Sequence, residues 1–292
     1  MPPSLPMPRI MYGTAWKKDY TSELVIQAVK AGFCGIDTAA QPKHYREDLV
    51  GKAIQTLLTK GIVKREELFI QTKRASLFPP TSVFSSLDGQ DLTKPIPYDP
   101  KAPLVEQVKQ SVQSSLKNLG IDYIDSVILH SPLRTIDDTL KAYTVLESFV
   151  ETGQIRQLGI SNIYDAKQLE HIIRQVDVAV SVVQNRWYEG NAWDWEVYDV
   201  CQKYGVQYQS FWTLTGSPTL LGDPYVSGMA RKYGVTTSQL MFKLCQLWNI
   251  TPLSGTTSPD HAREAIAAEE AKIEKDAEDV VKLWDALHGI SR

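Results

Sequence analysis

Cysteine is scarce in this chain, and the few present do not cluster. Cys34, Cys201 and Cys245 lie far apart in 292 residues, with no CxxC pair and no Cys/His spacing. That pattern excludes a disulfide framework and gives no support to a zinc site. It places the chain in a reducing, cytoplasmic compartment. An excess of charge of one sign is also lacking. The net charge of −3 offers no basic footprint for nucleic acid or an anionic membrane. The longer apolar runs, such as VAVSVV, fall far short of a membrane span. The proline-rich start MPPSLPMPRI has no apolar core of a signal peptide. Histidine is sparse too: His44, His130, His171, His261 and His288 do not supply the several strand-end ligands that a metal-dependent hydrolase needs, so no metal site is expected. There is no GxGxxG turn, the mark of an open dinucleotide-binding sheet.

What is there is an alternation. Short apolar runs predict strands near 8–14, 33–38, 67–73, 123–130, 156–161, 180–186, 207–213 and 250–255. Helical patterns fill the spaces between them. Val105, Val108, Val112, Leu116 and Leu119 recur at spacings of three and four, one face of a helix, which Pro103 opens and Gly120 follows. About eight strand–helix units imply a parallel sheet. The fold expected is α/β: a (β/α)8 TIM barrel forming a single domain over 1–292. An open doubly wound sheet is the alternative. One segment breaks the rhythm. Residues 74–103 are rich in Pro and Ser without helical periodicity, a long loop after the third strand. Such a connection is often functional, and this one is read as a lid over the site, with a plain surface insertion as the alternative.

Four polar residues stand where these runs reach the surface: Asp37 in GIDTA, Tyr45 in HYRED, Lys73 in FIQTK and His130 in VILHSP. In a parallel barrel all strand ends open on one face, where active sites are built. Tyrosine is the only one of the four that can serve as a proton donor of high pKa, and lysine, aspartate and histidine can tune it. Singly, each has a plain structural reading: an ion pair, a surface aromatic, a satisfied strand-end histidine. Together they point to carbonyl reduction.

The motifs GIDTA with HYREDLVGKAI, FIQTK, VILHSP, GQIRQLGISN and VVQN, in this order and between GTAW and SGTTSPDHARE, resemble the aldo-keto reductase superfamily over nearly the whole chain. The resemblance implies a TIM barrel and hydride transfer between a nicotinamide cofactor and a carbonyl or alcohol, with no metal. It assigns Asp37, Tyr45, Lys73 and His130 as the catalytic residues, Tyr45 being the general acid. Lys73, salt-bridged to Asp37, would stabilise the phenolate left behind, and His130 would orient the substrate oxygen. One departure is visible. Eight positions separate Asp37 from Tyr45, more than the family pattern has, so an insertion is placed before Tyr45, where it reshapes the pocket.

For the cofactor, the resemblance implies Gly13, Thr14, Asp37, Ser161, Asn162, Gln184, Phe211, Leu214, Thr256, Thr257, His261 and Glu264. Ser161, Asn162 and Gln184 would hold the nicotinamide carboxamide, and Phe211 would lie under its ring. At the adenosine end the pattern is altered: Gly255 and His261 stand where NADPH-preferring members often carry lysine and arginine. NADPH is the expected cofactor, with NADH as the alternative. Trp16, His44 and Trp187 are expected to wall the substrate pocket. The partner is a small-molecule carbonyl compound, with no nucleic acid or membrane; substrate identity and oligomeric state are not legible. A second functional reading is a nucleotide-binding regulatory protein on the same scaffold, which fold alone leaves open.

Overall fold

The computed structural model describes residues 6–74 and 96–289. Its strands are β1 Met11–Gly13, β2 Gly35–Asp37, β3 Phe69–Arg74, β4 Ile124–Leu129, β5 Ile155–Ser161, β6 Val180–Arg186, β7 Gln207–Phe211 and β8 Ile250–Ser254. All pair in parallel in chain order, and β8 returns to β1 to close the barrel. Each predicted strand coincides with one of these. β3 and β4 are buried along their whole length, as parallel strands covered by helices must be.

Helices α1 Thr21–Lys30, α2 Glu47–Thr59, α3 Leu104–Leu119, α4 Ile136–Glu151, α5 Ala166–Gln175 and α6 Trp195–Tyr204 follow the first six strands. After β7 come α7 Pro218–Gly222, α8 Pro224–Tyr233 and α9 Thr237–Leu247, and after β8 come α10 Pro259–Ala267 and α11 Glu278–Leu287. The apolar stripe of α3 is buried at Val108, Val112, Leu116 and Leu119, while Val105 packs at its edge. Gly120 ends that helix in the left-handed conformation, at φ 65°, where a side chain is disfavoured. Among the described residues no helix is long and apolar enough to cross a membrane.

The helical ring is tight at one point that yields a test. Gly51 of α2 abuts the end of α3, so that a Cβ there would lie 2.1 Å from the carbonyl oxygen of Asn118. Because the obstacle is backbone, it cannot rotate away. Gly51→Ala is therefore expected to destabilise the protein by about 1–3 kcal/mol, read from urea unfolding. Unchanged stability would mean that α2 and α3 sit further apart.

The lid reading of 74–103 falls mostly on residues 75–95, outside the described residues. At the described edges of that stretch, Tyr98 is buried and its ring lies 5.4 Å from the Arg74 guanidinium.

Candidate active site

The C-terminal ends of the strands surround a cavity of about 1070 Å³. Asp37, the last residue of β2, and Lys73, near the end of β3, point into the barrel and meet as a buried ion pair, with Nζ 2.5 Å from Oδ2. Lys73 Nζ also donates to the carbonyl of Thr38 at 3.0 Å. The other carboxylate oxygen of Asp37 accepts from Gln71 Nε2 at 2.8 Å and Gln184 Nε2 at 3.0 Å. Gln209 accepts from both glutamines, at 2.7 and 2.8 Å. The barrel interior beneath the cavity is thus a closed polar layer. A buried charge pair is tolerable only with its remaining valences satisfied.

The connection after β2 brings Tyr45 back over this pair. The main chain turns at Gln41, whose carbonyl accepts from Tyr45 N at 3.1 Å, and α2 begins two residues on. Lys73 Nζ lies 5.2 Å from the centre of the Tyr45 ring. His130, just after β4, meets that ring edge-on at 6.0 Å between centres. Asn162 Nδ2 donates to the His130 carbonyl at 2.8 Å. The four residues Asp37, Tyr45, Lys73 and His130 therefore share one place, and three of them line the cavity directly as Asp37, Tyr45 and His130.

Burial sets their protonation. It raises the phenol of Tyr45 above 10.0, against the opposing charge and hydrogen bond of Lys73, which pull it down. Tyr45 thus holds its proton through neutral pH. Burial, then the Lys73 ammonium, then His44, depress the imidazole of His130 to about 3. An unfolded histidine titrates near 6.5. Between these two values the unfolded chain binds more protons than the folded one, so stability falls as pH drops from about 6.5 towards 3. A His130→Gln variant should show a shallower decline over that window in urea unfolding at stepped pH. An identical slope would place the imidazole in water.

Most residues expected at the cofactor site do line the cavity: Gly13, Asp37, Ser161, Asn162, Gln184, Phe211, Leu214, Thr256, His261 and Glu264. Trp16 and His44 form its rim, with ring centres 3.8 Å apart. Three expectations are corrected. Trp187 is not a pocket residue: it is fully buried in the core, packed on Trp193, Trp195 and Trp248, because its side chain turns out of the barrel. Thr14 lies beneath the wall, and its hydroxyl is spent on the Asp37 carbonyl at 2.9 Å. Thr257 is exposed and does not border the cavity.

Other wall residues have no signal in the motifs. Arg186 ends β6, with its guanidinium 5.5 Å from the Phe211 ring and 5.0 Å from that of Trp212. Lys17 enters from the β1–α1 connection. Trp16, Asn162 and Trp212 each follow closely on a strand end with φ of 64°, 52° and 63°. Asparagine accepts this conformation readily, but for tryptophan it is uncommon, and such strain concentrates at functional sites. The glutamines Gln71 and Gln209 carried a faint signal, as polar residues inside apolar strands.

The comparisons agree with this architecture. Residues 9–287 match the profile described as "Aldo/keto reductase family". The chain belongs to that family. It is 29% identical over 234 residues to an aldo-keto reductase of Mycolicibacterium smegmatis, covering 79% of this chain and 72% of the relative. It is 26% identical over 273 residues to aldo-keto reductase AKR2E4 of Bombyx mori, covering 87% and 80%. The solved structure of that Bombyx mori protein in complex with NADP superposes with a TM-score of 0.75 at 22% identity, over 97% of this chain and 89% of that one.

Proposed function

We propose that this protein reduces an aldehyde or ketone to an alcohol with NADPH, Tyr45 serving as general acid. The observation that carries the reading is the meeting of a protonated, half-buried phenol, a lysine–aspartate pair and a neutral imidazole at one cavity. Family membership supports it, as does the NADP complex of the Bombyx mori relative.

The residues present fit a nicotinamide dinucleotide. The cavity of about 1070 Å³ is large enough for a dinucleotide beside a small substrate. Ser161, Asn162 and Gln184 offer the mixed donors and acceptors that a carboxamide needs. Because Gln184 Nε2 already donates to Asp37 and Gln209, its carbonyl oxygen is the atom left to accept. Phe211 provides a flat apolar face for the nicotinamide ring. When bound, NADPH would supply the hydride.

The chain's own residues handle the oxygen. As hydride reaches a carbonyl carbon, negative charge grows on the oxygen, and a donor must meet it there. Tyr45 would give its proton to that oxygen. Lys73, held by Asp37, would stabilise the phenolate that remains. Neutral His130 can donate a ring N–H to the same oxygen and fix its position. The alternative of a nucleotide-binding regulatory protein is favoured by no observation.

The direct test is incubation of the protein with NADPH and a panel of aromatic and aliphatic aldehydes and ketones, following loss of NADPH absorbance. Turnover with members of the panel is expected. Failure of NADPH to bind, judged from tryptophan fluorescence, would overturn the reading.

A further inference from the structure

The cavity wall holds a cation that the chemistry above does not use. Lys17 is only 8% exposed, yet it borders the cavity. Its Nζ donates to the carbonyl oxygen of Gly255, just beyond β8 on the other side of the seam with β1. Among the described residues that carbonyl is its one hydrogen-bond acceptor, and no carboxylate stands within ion-pair distance. Lys73, by contrast, is paired with Asp37, whereas Lys243, which also donates to a backbone carbonyl, that of Glu269, does not border the cavity.

A desolvated ammonium answered only by a neutral carbonyl is costly to maintain. Burial lowers its pKa accordingly. Such a group on a cavity wall is prepared for an anion, which would restore the interaction lost with water. Its surroundings suit one. Thr256 and His261 border the same cavity, and His261 lies in the first turn of α10, which Ser258 caps. Backbone N–H groups at a helix N-terminus favour negative charge.

Position 255 sharpens the argument. A Cβ on Gly255 would lie 3.7 Å from Lys17 Nζ. A side chain at 255 would therefore start in ordinary contact with the Lys17 ammonium. The glycine that looks like a missing lysine in the sequence lies beside a lysine arriving from the β1–α1 connection.

We propose that Lys17 supplies, from across the β1/β8 seam, the positive charge absent at position 255, and that it recognises the 2′-phosphate of NADPH. This rests on the cofactor reading above. Its consequence is that the chain distinguishes NADPH from NADH despite Gly255 and His261.

The experiment is calorimetric titration with adenosine 2′,5′-bisphosphate and with ADP, which needs no turnover. Wild type, Lys17→Met and the double variant Lys17→Met with Gly255→Lys are compared, each checked by urea unfolding. A hydrogen bond to a charged group contributes about 1.5–3 kcal/mol, so Lys17→Met should weaken the bisphosphate by about 10- to 150-fold. ADP should be nearly unaffected. The double variant should regain most of the bisphosphate affinity, since the charge returns to the same place from the other strand. An unchanged bisphosphate affinity in Lys17→Met would overturn the proposal. So would an equal loss for ADP, which would assign Lys17 to the diphosphate that both nucleotides share. Failure of wild type to bind either nucleotide would instead overturn the cofactor reading, and this inference with it.

Discussion

Tyr45→Phe is expected to lower kcat for carbonyl reduction by about 100- to 10,000-fold, the usual contribution of a positioned general acid, while NADPH affinity stays nearly unchanged. The size follows from the lack of a substitute. His130, which meets the Tyr45 ring edge-on, is held neutral with its pKa at about 3, so at neutral pH it has no titratable proton to give. Lys73 is occupied by Asp37 and the Thr38 carbonyl. Removing one hydroxyl from a ring that keeps its packing should leave fold and cofactor cavity intact. Steady-state kinetics and tryptophan-fluorescence titration of the same preparation separate the two effects. Retained kcat would mean that another group protonates the oxygen. The pH profile of the wild type carries a linked expectation. Since burial raises the Tyr45 pKa above 10.0, the acid form persists through neutrality, and reduction should decline only on the alkaline side.

The other large effect is on stability. Asp37→Asn would leave the Lys73 ammonium in a site where its side chain is 2% exposed, with a backbone carbonyl in place of a counter-charge. Breaking a buried pair from one side costs about 3–5 kcal/mol. The Asp37 carboxylate also anchors Gln71 and Gln184, and through them Gln209, so the loss extends into the polar layer that fills the barrel. Replacing both partners, Asp37→Leu with Lys73→Met, removes the unpaired charge. The double variant should be more stable than Asp37→Asn, although inactive. Urea unfolding of the two variants beside wild type gives the comparison. If Asp37→Asn is as stable as wild type, the ammonium must reach water, and the site is not dry.

The sequence alone determined the element order. Strand and helix periodicities depend on local spacing, so all eight strands could be read from it, and their number with the missing GxGxxG turn favoured a closed barrel over an open sheet. It also located Asp37, Lys73 and His130, because a strand that ends in a polar residue announces a surface, and Tyr45 through the motif HYRED that follows the second strand. Only the tertiary structure decided which way the flanking residues turn. Trp187 and Arg186 are neighbours at the end of β6, yet one enters the tryptophan-rich core and the other the cavity; strand side chains alternate between faces, but the end of the strand sets where the alternation stops. Contacts across the closed barrel were equally hidden. Lys17 and Gly255 stand 238 positions apart, and Gln71 and Gln209 stand 138 apart. None of these segments by itself reveals its partner. Their meaning comes from burial and charge, which arise only once β8 has come round to β1 and water has left the barrel.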